Sequence, residues 1–464
     1  MEKQSISAKQ GAARKRVTIL GLSTAPLLLS GGLIWAQDTG GFQTTFDVSQ
    51  RLEYIEEDGF TSGSDEGLRS VTGLGFSLSS ETRVQRLTFS GATNIAQNLS
   101  NGGSTEFEGT NVGLDYARFG SNSELTFALS YRRDEVDDLA FDTDLLLDDD
   151  ITTGTGQREI FGVRTGLTLG RDGPITATLT HGFEKSVYSD TIDPSLTDGD
   201  TQSVTGRLTF ELSPVLTTNI FASWREEDED GPSATDRTFE RLGLGAVYAI
   251  SPATTFTGEL FYEQEDSRSA TAVIETDGIG YALGLTTARP NGSISVNFEE
   301  EETLNGMRRQ ALLGRSYELR RGTLAFSVGA TKTDGFSTQA LANLSLDYAL
   351  DPLSRIRIEL DQAASVNDDD SEVVNTRLDL SYSRDLTSLS ELTAGVSLVD
   401  ENVLGVGTGD EQSVRFDLSH RYEITRDWDL VSGFEYSAVD EDGLDRRDRS
   451  TLFLGIERSF DIRP

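Results

Sequence analysis

The chain has 464 residues, no cysteine, a formal net charge of -37 and 36% hydrophobic residues. The missing cysteine excludes a disulfide framework and a thiolate metal site. The acidic balance excludes nucleic acid, whose binders need a basic footprint. So low an apolar fraction approaches that of disordered chains. Yet the chain alternates apolar and polar residues in order, and a water-filled barrel, apolar on its outer face alone, reconciles the two.

Residues 1–36 differ in kind from the rest. Lys3, Lys9, Arg14, Lys15 and Arg16 make a basic start, residues 17–35 form an apolar run centred on Leu27, Leu28 and Leu29, and Ala36 offers a small residue for cleavage. This reads as a secretory signal peptide; Pro26 and the Gly31-Gly32 pair argue against a membrane-anchoring helix. Its removal leaves residues 37–464 with 35 basic and 76 acidic residues, a net charge of -41.

The first strand starts at Phe42. Phe42, Phe46, Val48, Leu52 and Tyr54 share one parity, and Gln43, Thr45, Asp47, Ser49, Arg51 and Glu53 share the other. A period of two defines a strand. A polar connection follows over 55–67; Leu74, Phe76 and Leu78 then run to a turn near Ser80, and Leu87 and Phe89 begin the return. Short turn segments recur from Gly120 to Ser123, Arg171 to Pro174, Leu212 to Pro214, Ile250 to Ala253, Arg289 to Gly292, Arg320 to Gly322, Asp351 to Leu353, Ser383 to Leu386 and Glu423 to Arg426. Longer polar connections alternate with them, as at 132–156, 186–201, 226–236 and 437–448. The clearest hairpin is 414–436, where Val414, Phe416, Leu418, His420 and Tyr422 alternate with polar residues before Trp428, Leu430, Ser432, Phe434 and Tyr436 do the same. Each run is about nine residues long, what a tilted strand needs to cross a hydrocarbon layer.

Aromatics test this register. Tyr116, Phe210, Tyr248, Tyr317, Tyr348, Tyr382, Tyr422 and Phe460 stand beside the short turns, and Tyr54, Tyr131, Phe183, Trp224, Tyr262, Phe298 and Tyr436 beside the long connections. Two such girdles mark two membrane interfaces. A soluble β-solenoid also repeats at about twenty residues, but it needs a shared coil motif that the hairpins here lack. The expectation is all-β: a single antiparallel up-and-down transmembrane β-barrel of about 22 strands, within 20 to 24, spanning Phe42 to Phe460. Its short turns would be periplasmic and its long acidic loops extracellular.

On these residues, and on a closing strand from Thr451 to Phe460 that looks like an aromatic-terminated assembly signal, the chain resembles the Gram-negative outer-membrane β-barrel class that includes porins. Arg458 on the outward parity and the four residues after Phe460 depart from that signal. The resemblance implies export, residence in the outer membrane among lipid and lipopolysaccharide, and barrel-assembly machinery as a partner. Nothing in the pattern sets an oligomeric state.

In porins the connection at the ordinal position of 132–156 folds into the lumen. That resemblance makes Asp134, Glu135, Asp137, Asp138, Asp148, Asp149 and Asp150 candidates for a cation-favouring constriction; the alternative is a solvated external loop. Lumenal arginines, among them Arg207, Arg241, Arg355, Arg357, Arg377 and Arg415, mix with carboxylates such as Asp347, Glu259, Asp379 and Glu435. They either set a transverse field across a pore or, the reading favoured here, pair across strands on a wet wall. Acids at Asp198, Asp200, Asp368, Asp369, Asp370, Asp440, Glu441, Asp442 and Asp445 lack the spacing of an EF-hand loop, so no resident cofactor is expected, with diffuse Ca2+ or Mg2+ collection as the alternative.

No enzymatic activity is expected. His181 and His420 are the only histidines, and the serine that the outer-membrane phospholipase type places two residues after histidine is replaced by Phe183 and Tyr422. A first strand at Phe42 points away from an uptake receptor with an internal plug. The expected function is a channel for passive diffusion of small hydrophilic solutes, leaning to cations. The alternatives are a polysaccharide export conduit, for which lumenal aromatics such as Phe221, Phe261 and Phe453 are sparse, and a structural or adhesive barrel that binds divalent cations.

Overall fold

The computed structural model describes residues 41–59, 67–100, 105–136, 156–191, 196–231, 234–269, 272–367, 370–405, 410–441 and 446–462. The signal-peptide segment lies outside the described residues, as do Asp137, Asp138, Asp148, Asp149, Asp150, Asp368, Asp369, Asp442 and Asp445.

The strands run in chain order as β1 (Phe42–Asp58), β2 (Gly67–Glu81), β3 (Gln85–Asn98), β4 (Thr105–Phe119), β5 (Ser123–Glu135), β6 (Gln157–Leu169) and β7 (Ile175–Ser189). Next come β8 (Asp198–Ser213), β9 (Leu216–Asp230), β10 (Thr235–Ser251), β11 (Thr254–Ser269), β12 (Val273–Arg289), β13 (Gly292–Thr303), β14 (Gly306–Leu319) and β15 (Gly322–Thr333). The last are β16 (Gln339–Asp351), β17 (Ser354–Val366), β18 (Glu372–Thr387), β19 (Ser390–Val403), β20 (Glu411–Thr425), β21 (Trp428–Glu441) and β22 (Arg447–Ile462). Every strand pairs antiparallel with its sequence neighbours, and β1 pairs with β22, closing a barrel of 22 strands. Closure leaves no edge and satisfies the backbone internally, as a hydrocarbon layer demands.

Parity places the side chains as the alternation predicts. Tyr262 stands opposite Leu242 on one side and Ile279 on the other. Leu242 is 59% and Ile279 63% exposed, the band that lipid covers. Tyr54 pairs with Leu68 and Leu452 in the upper girdle, and Tyr348 with Ile356 in the lower. His181 and His420 also face outward, bonded to Gln202 and Ser390.

Two expectations need correction. The strands are 12 to 17 residues long, beyond the roughly nine that cross hydrocarbon, so their extra length projects above the outer girdle and shortens the connections. The alternation of long and short connections holds except at two places, where only residues 270–272 join β11 to β12 and only Leu304 and Asn305 join β13 to β14. Buried residues concentrate on the lumenal parity near these extracellular ends, among them Ile55, Val71, Glu263, Ser267, Val373, Ser413 and Val439.

Candidate functional site

Three lumenal phenylalanines are structural. Phe221 lies opposite Gly243, Phe261 opposite Gly280 and Phe453 opposite Gly433. A Cβ at any of these glycines would run into the facing ring, so each ring covers the backbone its neighbour leaves bare. An arginine caps each ring, with Arg207 4.9 Å from the Phe221 centroid, Arg241 4.3 Å from Phe261 and Arg51 5.5 Å from Phe453. Cation–π contact of this kind favours a guanidinium held over an aromatic face. These rings are therefore not free for sugar stacking.

Above Phe261 a chain of ion pairs crosses several strands. Arg241 donates to Glu263 at 2.7 Å and to Glu301 at 3.1 Å; Arg308 donates to Glu301 at 2.7 Å and to Glu372 at 3.3 Å. Glu372 is buried and also accepts from the Thr333 hydroxyl at 2.5 Å. Glu263 accepts the Glu302 backbone N–H at 2.7 Å. One Glu372 oxygen, Arg241 Nε and the Thr331 hydroxyl are buried without partners, each a group whose desolvation is uncompensated.

Beside this chain, Asn367 after β17 and Asp370 before β18 meet residues of β10 and β11. Arg237 of β10 donates from Nε and Nη2 to Asp370 Oδ1 at 3.0 and 2.6 Å, and from Nη2 to the Asn367 carbonyl at 2.8 Å. Ser267 of β11 donates to Asp370 Oδ2 at 2.9 Å, and Asn305 Nδ2 donates to the Asp370 carbonyl at 3.1 Å. Along the wall β11 and β17 are six strands apart, about 29 Å at roughly 4.8 Å per strand. Hydrogen bonding between them therefore requires the extracellular end of this sector to be drawn inward. Asn367 also donates to Glu401 at 3.1 Å, which ties it to β19.

Glu265 sits three residues past Tyr262, above the outer girdle. Burial lifts its carboxyl from 4.5 to about 7; Arg237 and Arg308 oppose the rise, while Asp370 and Glu263 add to it. Below the ion-pair chain lies a recess of about 380 Å³ in the lumenal wall, lined by Arg207, Asn219, Thr257, Glu259, Asn297, Glu299 and Gln310. It exists because β12 shows Ala282 and Gly284 to the lumen where other strands carry larger groups.

Of the residues singled out from sequence, Arg207, Arg241 and Glu259 belong to this region, and the described constriction candidates fall elsewhere. Asp134 and Glu135 end β5, bonded to Arg132 and Gln157. Arg355 and Arg357 both pair with Asp347 of the adjacent β16, at 3.0 and 3.2 Å. Arg377 pairs with Asp379 at 2.7 Å and Arg415 with Glu435 at 3.5 Å. The partners named here stand on the same strand or the next one. Asp370, grouped by sequence with ion-collecting acids, is engaged by Arg237 and Ser267. Sequence reasoning missed Arg237, Ser267, Asn305, Arg308 and Glu372. One signal was present: Glu299 to Glu302 face Arg308 and Arg309 across a two-residue turn.

No protein-family model and no curated protein matches the sequence. Solved structures do. A mutant of the ferric enterobactin receptor PfeA of Pseudomonas aeruginosa, in complex with enterobactin, superposes with a TM-score of 0.55 at 11% identity over 92% of this chain and 82% of that one. The fold is that of a Gram-negative outer-membrane β-barrel. The siderophore receptor PirA of Acinetobacter baumannii gives a TM-score of 0.53 at 8% identity over 90% and 80% of the two chains, and the copper transporter OprC gives 0.53 at 14% over 91% and 80%. The barrel's place is the outer membrane, as its girdles and apolar band require. The expectation of a passive diffusion channel, with polysaccharide export or adhesion as alternatives, is overturned: the matching barrels are receptors and a transporter for specific ligands, and the mouth is drawn together on one side. Porin and ion transport are withdrawn with it, as is the argument against receptor-type uptake.

Proposed function

We propose that this chain is the outer-membrane barrel of a receptor-type uptake system, which engages a polar solute at its extracellular end and admits it when the mouth is released. The observation that carries this reading is the bonding of Asp370 to Arg237 and Ser267 across the lumen. A passive pore can carry a standing constriction, but it has no use for a contact that ligand binding releases. A receptor does, because ligand binding can then shift a closed population towards an open one. The likeness to barrels named for ferric enterobactin, siderophores and copper supports the same reading.

The test is conductance in planar bilayers together with uptake in cells. The unmodified barrel should show rare or no large steps, and the Arg237→Ala, Asp370→Ala double variant frequent ones. Cells carrying the barrel should accumulate a ferric siderophore or Cu2+ faster than cells without it. Steady large steps from the unmodified barrel, unchanged in the double variant, would sink the reading.

A further inference from the structure

We infer that the recess in the lumenal wall is a binding site for a small hydroxylated amine, its ammonium held by Glu299 and its hydroxyls by the amides and hydroxyl around it. The site's place in uptake rests on the reading above; the binding itself does not.

The recess is built on bare backbone. At Gly243, Gly280 and Gly433 a facing phenylalanine ring covers the gap. At Gly245 and Gly284 short polar side chains lie there instead: a Cβ on Gly245 would run into the Asn219 amide, and one on Gly284 into the Thr257 hydroxyl and the Asn297 amide. Ala282 adds only a methyl group between Glu259 and Glu299. The result is a hollow of about 380 Å³, within the size range of small-molecule sites. Among the described residues, the Thr257, Asn297 and Gln310 side chains make no hydrogen bond, so their donors and acceptors are open to a solute. An apolar solute would leave them unmatched.

Charge selects among polar solutes. Glu259 on β11 and Glu299 on β13 both stand opposite Ala282 of β12, about 10 Å apart at roughly 4.8 Å per strand. Glu259 is met by Arg207 at 3.5 Å, and Arg207 is also held by Asn219 at 3.0 Å and by the Phe221 ring at 4.9 Å. Glu299 accepts no hydrogen bond from a described residue. The guanidiniums that act on it, Arg241 and Arg308, are bonded to Glu263, Glu301 and Glu372, and Glu263 and Glu301 offset their field. The recess therefore carries one carboxylate in excess of its own cation, which repels an anion and favours a cation. An ammonium fits because it brings the charge and also donates hydrogen bonds to the carboxylate. Bare Ca2+ is poorly served, since it takes about six to eight oxygens and the two carboxylates stand apart.

The experiment uses three open-chain probes that differ in one end group: glucamine with an ammonium, sorbitol with a hydroxyl and gluconate with a carboxylate. Isothermal titration of the full barrel in detergent at fixed ionic strength should show glucamine binding at least about tenfold tighter than sorbitol, as expected from one charge-assisted hydrogen bond. Gluconate should bind more weakly than either. Glu299→Gln should remove the preference for glucamine, and Ala282→Leu, which fills the hollow, should weaken glucamine and sorbitol alike. A preference that survives Glu299→Gln belongs to the acidic chain at large and overturns the site, as does binding indifferent to Ala282→Leu or gluconate as tight as glucamine. Should Glu299→Gln fail to fold, the three probes and Ala282→Leu still decide. Absence of glucamine binding by a barrel that conducts only rarely overturns the site and leaves the uptake reading standing. Charge-selective, Ala282-dependent binding by a barrel that conducts steadily keeps the site and overturns the uptake reading.

Discussion

Two groups of lumenal arginines share residue type and parity but not circumstance. Near the extracellular end, Arg237, Arg241 and Arg308 have side chains 13%, 25% and 13% exposed. Each reaches an acid three or more strands away, Asp370, Glu301 and Glu372 in turn, while Arg241 and Arg308 also pair with Glu263 and Glu301 on adjacent strands. Near the periplasmic turns, Arg355 and Arg357 are 58% and 57% exposed and share an acid on the next strand. A wet cross-strand pair is worth little because water solvates both ions when it breaks. A dry pair is different: removing one partner strands the other. The same alternating pattern thus writes a solvated wall at one end and a closure at the other, and only the inward draw of the strand ends separates them.

The contrast can be broken most directly at Arg308. Arg308→Ala leaves the buried Glu372 without its cation and Glu301 with Arg241 alone, and should cost about 3–5 kcal/mol in urea-induced unfolding measured in lipid vesicles. A loss under about 1 kcal/mol would show this end to be as wet as the other. Next come the glycines beneath the lumenal rings: Gly280→Val and Gly433→Val should each cost about 1–3 kcal/mol in the same titration, the penalty of forcing a packed ring aside.

Glu265 sharpens the contrast through pH. Its folded carboxyl titrates at about 7, above its ordinary 4.5. The folded state therefore holds a proton that the unfolded state has lost, and stability falls as pH rises through that window. Unfolding midpoints should be higher at about pH 5 than at about pH 8 by an amount that Glu265→Gln reduces. An unchanged slope in that variant would place the titration elsewhere. The smallest effect is expected from Arg355→Ala, under about 1 kcal/mol, with Arg357 left to pair with Asp347.

Much of the barrel was readable before any coordinates. The outward parity of Tyr262 and Tyr348, the periplasmic turns near Gly120 and Arg320, and the closing strand through Phe460 all follow from a period of two and from turn chemistry, which act over a few residues. Boundaries were harder. β18 continues to Thr387, past the turn expected from Ser383 to Leu386, because the polar residues there still pair with β19. Strand lengths were misjudged for a related reason: above the membrane both faces of a strand can be polar, so the alternation fades while the hydrogen-bonded ladder goes on.

The closing contact was not readable at all. Arg237 and Asp370 are 133 residues apart, and Ser267 and Asp370 are 103 apart, separations that no local period encodes. Alternation specifies which residues face the lumen, because pleating fixes the side of each one. Which lumenal residues meet depends on the shape of the barrel's cross-section, and that shape arises from all the strands together, the short β13–β14 hairpin and the small residues of β12 among them.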